Sequence, residues 1–146
     1  MTKREILFRG WNKKNKKWLY GYYCVNRGEH FIAPDEFVNP LASYEDYVVD
    51  ADTVGQFTGM KDAKGVKIFE GDIIKTPRGF IGEVVFGRAE EECTHTECNR
   101  KITDVYTTYG WIFKRADGYT CAIDDGILQG GLLGNVKETP ELIKIK

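Results

Sequence analysis

The chain has 146 residues, of which 42% are hydrophobic and 13% aromatic, so it can bury a core, and extensive disorder is excluded. The 21 Lys and Arg residues nearly balance the 22 Asp and Glu residues, and the net charge of -1 favours no class of partner. Because no apolar run approaches the roughly 20 residues that cross a bilayer, and no signal peptide is visible, we expect a soluble cytoplasmic protein without membrane contact. Its four cysteines should remain thiols.

Charge is unevenly distributed along the chain. Residues 1–28 hold eight Lys or Arg against one acid, Glu5, whereas residues 29–60 hold seven Asp or Glu and no Lys or Arg. Residues 89–98 add four more acids without a base. The first two blocks either neutralise each other, within one fold or across a subunit interface, or leave a basic patch available to nucleic acid.

The first predicted element is a β-hairpin over residues 4–24. Apolar and polar residues alternate from Ile6, residues 18–24 are rich in aromatic side chains, and the polar residues between them have Asn at both turn positions, Asn12 and Asn15. Four lysines therefore lie at the predicted hairpin tip: Lys13, Lys14, Lys16 and Lys17. Such a tip is either a solvated turn or, with its aromatic neighbours, a site for single-stranded nucleic acid.

We expect residues 28–52 to form a loop with a strand or helical turn. Residues 52–57 are expected to form a short strand. The following segment, TGMKDAKGVKIFEGDII, has glycines at Gly59, Gly65 and Gly71. We interpret them as turn residues of a structural motif that also includes Asp62 and Asp72. A phosphate-binding loop of the Walker type would need Gly-Lys-Ser/Thr and a following helix, and this segment has neither.

Alternating hydrophobic residues then predict strands over 66–69, 72–76 and 80–87, the last two antiparallel. We expect residues 87–100 to form an acidic, cysteine-bearing loop, followed by a hairpin over 104–115 and 118–125. Near the C-terminus, Thr139 is expected to cap a short helical turn with Pro140 in its first position.

The sharpest candidate for metal chemistry is CTHTEC, in which Cys93, His95 and Cys98 are all suitable zinc ligands. A structural zinc site needs a fourth ligand, and no second close pair is present. A disulfide between Cys93 and Cys98, or a loop without special chemistry, are the alternatives. Ser43 is the only serine and lacks a nucleophile motif, and Asp124 and Asp125 are a weak candidate acidic pair, so no catalytic residue and no cofactor are predicted.

Nucleic-acid binding would use the basic N-terminal hairpin. The candidate residues combine positive charge with one stacking aromatic ring: Arg4, Arg9, Lys13, Lys14, Lys16, Lys17 and Trp18.

Three stretches together resemble the YopX family: REILFRGWNKKNKKW, TVGQFTGMKDAKGVKIFEGDII and LLGNVKETPEL. Members of this family are small proteins encoded by bacterial phages and prophages. The resemblance implies a mostly β protein with SH3-like barrel character around residues 71–86, self-association, and no enzymatic activity or catalytic residue to transfer. CTHTEC is not part of the family's pattern.

We therefore expect a mainly β fold (β-rich α+β) of short antiparallel hairpins with little helix. It should form one domain over residues 1–146, with a small β subdomain in residues 89–135. The leading function is a non-catalytic phage accessory protein that binds other proteins or itself, as a homo-oligomer or with a host or phage protein. A nucleic-acid-binding module is the alternative, and a metal-dependent enzyme the second alternative.

Overall fold

The computed structural model describes residues 3–34 and 44–144, so Ser43 lies outside the described residues. Ten strands are described: β1 Phe8–Asn12, β2 Lys17–Asn26, β3 Glu29–Ala33, β4 Gly55–Lys61, β5 Lys67–Phe69, β6 Asp72–Lys75, β7 Ile81–Glu97, β8 Arg100–Arg115, β9 Thr120–Ala122 and β10 Leu132–Asn135. Helical structure comprises α1 Asp125–Leu128 and the 3-10 turns Tyr44–Asp46, Ala51–Thr53 and Pro140–Ile143. The predicted mainly β fold with little helix is confirmed.

The chain forms two compact units. The N-terminal unit comprises residues 1–60 and 67–70, and the C-terminal unit residues 61–66 and 71–146. Each contains an antiparallel five-stranded sheet, in the order β3-β2-β1-β4-β5 and β10-β6-β7-β8-β9 respectively. Neither sheet closes in the described residues, so the SH3-like barrel character is not confirmed. The expected single domain stays a prediction.

The N-terminal unit is built on the predicted first hairpin, which is confirmed. β1 pairs with β2 from Phe8↔Gly21 to Asn12↔Lys17. One face of the sheet packs a core cluster of Leu19, Ile32 and Val49. Gly10 lies in close contact with this core, because a Cβ there would stand 2.8 Å from the Val49 side chain. A larger residue in the middle of β1 would therefore displace Val49.

β4 differs from the prediction. The strand predicted over residues 52–57 continues to Lys61, so Gly59 lies within β4 and not in a turn as predicted. Gly59 has φ 86°, and the Thr58 hydroxyl beside it accepts a hydrogen bond from the Met60 N–H at 3.1 Å. This positive φ is a local irregularity within the strand. Glycine adopts such a backbone conformation without strain, whereas other residues do not.

The C-terminal unit contains an antiparallel run of four strands, from β6 to β9. The predicted pairing of β6 with β7 is confirmed, as is the hairpin of β8 with β9. Its buried core includes five large apolar side chains that are at most 2% exposed: Ile73, Ile74, Val84, Ile112 and Phe113. Gly82 allows close packing here, since a Cβ would lie 2.6 Å from the Phe113 ring.

The predicted loop over residues 87–100 is wrong. β7 and β8 form one long hairpin with 16 consecutive antiparallel pairs, from Gly82↔Arg115 to Glu97↔Arg100. The hairpin closes through Cys98 and Asn99, whose φ angles of 50° and 62° are those of a two-residue type I′ turn. Threonine, valine and tyrosine in residues 102–109 favour extended backbone, and the facing acids remain solvated, so acidity did not prevent strand formation.

At the C-terminus Thr139 precedes the 3-10 turn Pro140–Ile143, as predicted, but its side chain does not cap that turn. Its hydroxyl instead accepts a hydrogen bond from Asn135 N–H at 3.0 Å and donates to Asn135 C=O at 2.9 Å. In the described ranges no helix is long and apolar enough to span a bilayer.

Candidate functional site

The basic turn between β1 and β2 is held in place by the buried side chain of Asn12, which is 1% exposed. Its Nδ2 donates to the Val48 carbonyl at 2.7 Å and to the Glu45 carbonyl at 3.1 Å. Its Oδ1 accepts from the Asn15 N–H at 2.8 Å. These three bonds fix the turn against the acidic segment that follows residue 43.

The two charge blocks meet at this turn. Lys13 Nζ lies 3.3 Å from Asp50 Oδ1. Lys14 Nζ lies 3.0 Å from Asp46 Oδ1 and 3.9 Å from Glu45 Oε2. Two of the four lysines therefore already face carboxylates of their own unit, which lowers the positive potential available to an external phosphate.

Arg9 lies away from the surface, with 6% of its area exposed. Its guanidinium carbon is 4.5 Å from the centre of the Trp18 ring and 5.0 Å from that of Phe69. Its Nη2 donates to the Glu70 carbonyl at 3.4 Å. Arg9 and Trp18 thus pack together inside the N-terminal unit, and this contact contributes to the stability of that unit.

Of the remaining nucleic-acid candidates, Arg4, Lys16 and Lys17 are exposed. Lys16 has φ 51° because it lies in the turn. The seven candidate residues therefore do not form one basic surface: one is buried, two are ion-paired, and Trp18 is partly covered by Arg9.

The predicted zinc ligands lie on the β7–β8 hairpin. Cys93 pairs with Asp104 and His95 with Ile102, whereas Cys98 is in the turn. His95 Nδ1 lies 3.6 Å from Asp104 Oδ2. Among the residues that the structure describes, no group of three or more His, Cys, Asp or Glu side chains is placed to hold a metal ion. Cys93 and Cys98 are both free thiols, which contradicts a disulfide between them.

The turn motif is organised by Asp62, which is 7% exposed. Its Oδ1 accepts hydrogen bonds from the N–H groups of Lys64 and Val66, both at 2.9 Å, and its Oδ2 accepts from the Leu132 N–H at 3.4 Å. Gly65 has φ 83° in the same loop. The Asp62 carboxylate therefore has a structural role: it accepts hydrogen bonds from backbone N–H groups of two separate chain segments.

Gly71 and Asp72 join this loop region to the sheet. Gly71 has φ 90°, its N–H donates to the Val84 carbonyl at 2.8 Å, and its carbonyl accepts from the Val136 N–H at 2.9 Å. Asp72 is 2% exposed at the start of β6. Since these backbone groups bond to other backbone groups, the geometry is that of a structural turn.

An exposed aromatic surface lies on the β7–β8 hairpin. In an antiparallel pair, residues directly opposite each other share a face, as do residues two apart on one strand. The pairs Phe86↔Trp111 and Arg88↔Tyr109 are therefore adjacent on one face. We define the hairpin face as these four residues together with Val105, which pairs with Glu92 on the same side.

The hairpin face is open in this chain. Phe86 is 66% exposed, Val105 56% and Tyr109 75%. The Phe86 and Trp111 rings meet edge to face with centroids 5.1 Å apart. The Arg88 guanidinium lies 6.0 Å from the centre of the Tyr109 ring. The sequence does not predict this face, because residues 87–100 are expected from their polar and acidic composition to form a loop.

Arg88 is the charged centre of the face. It forms an ion pair with Glu90, and hydrogen bonds to Tyr109 and Glu90 raise the pKa of its guanidinium above its ordinary value, so the group stays protonated. The opposite face is covered near the base of the hairpin, where Ala89 is 2% exposed. The two faces of β7 therefore differ in what they can bind.

The outer edges of this hairpin are also open. In the described residues the β6–β7 ladder ends at the pair Ile73↔Glu83, and the β8–β9 ladder begins at Ile112↔Ala122. The Val84 and Trp111 carbonyls still accept hydrogen bonds from the Gly71 and Ile123 N–H groups, and beyond them β7 and β8 continue among the described residues as a two-stranded ribbon. Its edge N–H and C=O groups are available to pair with another strand.

Cys121 is the one buried thiol among the four cysteines. Burial raises the pKa of the Cys121 thiol, and the charges of Glu91 and Asp124 raise it further. A thiol must ionise to act as a nucleophile, so this environment opposes nucleophilic catalysis.

A family model described as YopX protein matches residues 7–144. The chain belongs to the YopX family. The match includes the basic turn, the Asp62 loop and the whole β7–β8 hairpin, so the hairpin face lies within the family domain. No curated protein matches the chain. YopX membership assigns no reaction, so function must be argued from the surfaces described above.

Proposed function

We propose that the protein is a non-catalytic, phage- or prophage-encoded accessory protein of the bacterial cytoplasm that works as a self-associating binding module. The observation that carries this proposal is the hairpin face, a set of exposed aromatic side chains around Arg88 on a long two-stranded ribbon. Aromatic residues and arginine are the side chains most enriched where proteins bind one another.

The low stability expected of an isolated two-stranded ribbon favours a state in which another protein surface covers it. A two-stranded hairpin is at best marginally stable in water, and a third strand or a packed face normally supports it. Phe86 and Tyr109 leave most of their ring area in solvent, and large aromatic side chains each bury about 150–250 Å² when covered. Association would therefore stabilise the ribbon at the place where its own chain leaves it open.

A second copy of the chain suits this surface. In a two-fold contact the same surface occurs on both subunits, so Arg88 of one copy can approach Glu90 of the other. The open edges offer main-chain pairing, and the aromatic rings offer apolar contact. A host or phage protein could use the same features, and the experiment below distinguishes it from a second copy.

The experiment is sedimentation velocity over a range of protein concentrations. We expect the wild-type chain to sediment as an oligomer and Tyr109→Ala, alone or with Phe86→Ala, to shift it towards monomer. Tyr106→Ala is the matched control, because Tyr106 is also exposed on β8 but lies on the opposite face. A monomeric wild type, or equal effects of Tyr109→Ala and Tyr106→Ala, would refute self-association through this face.

A further inference from the structure

The β7–β8 ribbon has two open edges, one on each strand. In an antiparallel ladder the N–H and C=O groups of successive residues point alternately to the two sides of a strand. The Val84 carbonyl accepts a hydrogen bond from outside the ribbon, and so does the Trp111 carbonyl. Because the β7–β8 pairs run without a break, even-numbered residues of β7 and odd-numbered residues of β8 point outwards along the whole ribbon.

The side chains of these outward-pointing residues lie on the hairpin face, since side chains alternate between the two faces along a strand. Near the tip of the ribbon Thr94 pairs with Thr103 on this face, and their hydroxyl oxygens lie 2.9 Å apart. A strand added to either edge would therefore widen the hairpin face into a larger surface. Such an added strand supplies main-chain hydrogen bonds and also covers exposed side chains.

The free length of the β8 edge limits where a two-fold axis can lie. In the described part of the chain β8 has no strand on its outer side from Arg100 to Gly110, and from Trp111 onwards Ile123 and β9 occupy that side. A two-fold axis beside an edge pairs it antiparallel with its own copy. Pairing along the whole free length therefore centres on Val105. A centre nearer the base of the ribbon would place the tip of the second hairpin where β9 already lies.

In this register no two like charges of β8 lie directly opposite each other. Lys101 faces Tyr109 of the other copy, and an ammonium group and an aromatic ring attract each other. Asp104 faces Tyr106 of the other copy, whose hydroxyl can donate to a carboxylate. Val105 faces its own copy at the axis, so a side chain that is 56% exposed gains an apolar partner. The β8 edge is therefore complementary to itself.

The β7 edge is not complementary to itself. In the described part of the chain its outer side is open from Phe86 to Glu97, so pairing along all of it centres within the acidic run Glu90–Glu92. Glutamates of the two copies would then lie directly opposite each other, and like charges in that position destabilise a sheet. A centre at Ala89 would place Arg88 opposite Glu90, but the tip of the second hairpin would then meet β6. Charged residues on an outer strand also protect an edge from pairing.

We propose, on the basis of the self-association proposed above, that the second copy pairs with the outer edge of β8, antiparallel and centred on Val105. The two hairpins then form one continuous four-stranded sheet, which is more stable than a two-stranded ribbon. The β7 strands lie on the outside of this sheet with their glutamates in solvent. Tyr109 lies at the boundary between the copies, against Lys101, which explains why an aromatic ring that is 75% exposed stands there.

The test compares proline at two matched threonines. Thr103 on β8 and Thr94 on β7 are opposite each other, are both exposed, and share the hydroxyl contact that either substitution removes. Proline at either position removes an outward N–H but no bond between β7 and β8, and edge strands tolerate such a proline. In sedimentation velocity we expect Thr103→Pro to raise the dissociation constant of the dimer about tenfold or more, because each copy loses a main-chain hydrogen bond. Thr94→Pro should leave it nearly unchanged.

Cysteine cross-linking checks the register. It uses a chain in which the three exposed cysteines, Cys24, Cys93 and Cys98, are replaced by serine. Directly opposed residues of an antiparallel pair have Cα atoms roughly 5.5 Å apart, a distance that a disulfide can span. With oxidised glutathione, Val105→Cys should therefore give a disulfide-linked dimer. Thr107→Cys, which lies away from the axis, and Glu92→Cys, which is opposite Val105 on the β7 edge, are the controls and should not.

A monomeric wild type would overturn both this pairing and self-association. If the wild type is an oligomer but the two proline variants behave alike, or Thr94→Pro alone weakens it, the β8 edge is wrong while self-association through the hairpin face stands. Cross-linking of Thr107→Cys or Glu92→Cys in place of Val105→Cys would likewise overturn the pairing. Circular dichroism shows whether both proline variants keep their strands, and if Thr103→Pro does not, the cross-linking result decides.

Discussion

The Lys14 ammonium lies 3.0 Å from the Asp46 carboxylate, and this contact joins the basic and acidic segments that the sequence keeps more than thirty residues apart. With the Lys13–Asp50 pair, it turns a basic tip into a nearly balanced surface. Exposed ion pairs of this kind add little to stability, about 0–1 kcal/mol each, so their main effect is on the surface potential.

This balance predicts weak binding of nucleic acid. We expect fluorescence anisotropy with random single- and double-stranded oligonucleotides to show little binding at about 50 mM salt and none at about 200 mM, because few cations are left to displace counterions. Tight binding that falls steeply with salt, and is lost when Lys13, Lys14, Lys16 and Lys17 become Gln, would support the nucleic-acid alternative instead.

Arg9 should be a structural residue. Arg9→Ala removes a buried guanidinium from between the Trp18 and Phe69 rings, so we expect the free energy of unfolding to fall by about 1–3 kcal/mol. Denaturant titration measures the change. Arg4→Ala, an exposed arginine of the same segment, should leave stability nearly unchanged. Equal, small effects of both variants would show that Arg9 contributes only surface charge.

The Asp62 carboxylate should be needed for the loop between β4 and β5. Asp62→Ala leaves the N–H groups of Lys64 and Val66 without their acceptor, and we expect a loss of about 1–3 kcal/mol. Asp62→Asn should cost less, because its amide oxygen can still accept both bonds. Asp52→Ala is the control, since Asp52 is exposed. A harmless Asp62→Ala would contradict the anchoring role.

The thiols should differ in reactivity. Cys24, Cys93 and Cys98 are exposed, whereas Cys121 is buried and the pKa of its thiol is raised. With a thiol reagent such as DTNB at neutral pH, we expect three groups to react quickly and the fourth only on unfolding. Cys121→Ala should remove the slow phase alone. A fast reaction of all four thiols in the folded protein would refute the burial of Cys121.

Stability should fall at alkaline pH. The pKa values of the Cys121 thiol and the Tyr119 hydroxyl are raised on folding, from ordinary values of 9.0 and 10.0. Below pH 9.0 both groups are protonated in both states, and above it the unfolded chain releases protons first. The unfolding free energy should therefore decrease above that pH, and less so in Cys121→Ala. An unchanged pH profile in Cys121→Ala would mean that the thiol does not contribute.

Local sequence patterns were sufficient for short-range structure. Alternation of apolar residues predicted the β1–β2 hairpin and the pairing of β6 with β7, because a strand must place its apolar residues on one face. The side chain of Asp62 and the positive φ of Gly65 also follow from turn chemistry within five residues. The position of Gly59 could not be predicted in this way, because a glycine with a positive φ can lie either in a turn or within a strand.

The β7–β8 hairpin shows where local patterns were insufficient. Glu90, Glu91 and Glu92 suggested a loop, yet each pairs with a β-favouring partner on β8, at Thr107, Tyr106 and Val105 respectively. Pairing between strands adds hydrogen bonds and side-chain contacts that a single segment cannot reveal. The same effect concealed the hairpin face, whose residues come from two strands.

The sequence by itself determined the class of fold, the turns at Asn12–Asn15, Gly65 and Gly71, and membership of the YopX family, because these depend on local periodicity and on motifs of neighbouring residues. Only the tertiary structure decided which charges are neutralised, that Arg9 is buried, and that Phe86, Tyr109 and Trp111 share an open surface. Burial and potential depend on groups that are distant in sequence, so they are set only when the strands pair and pack.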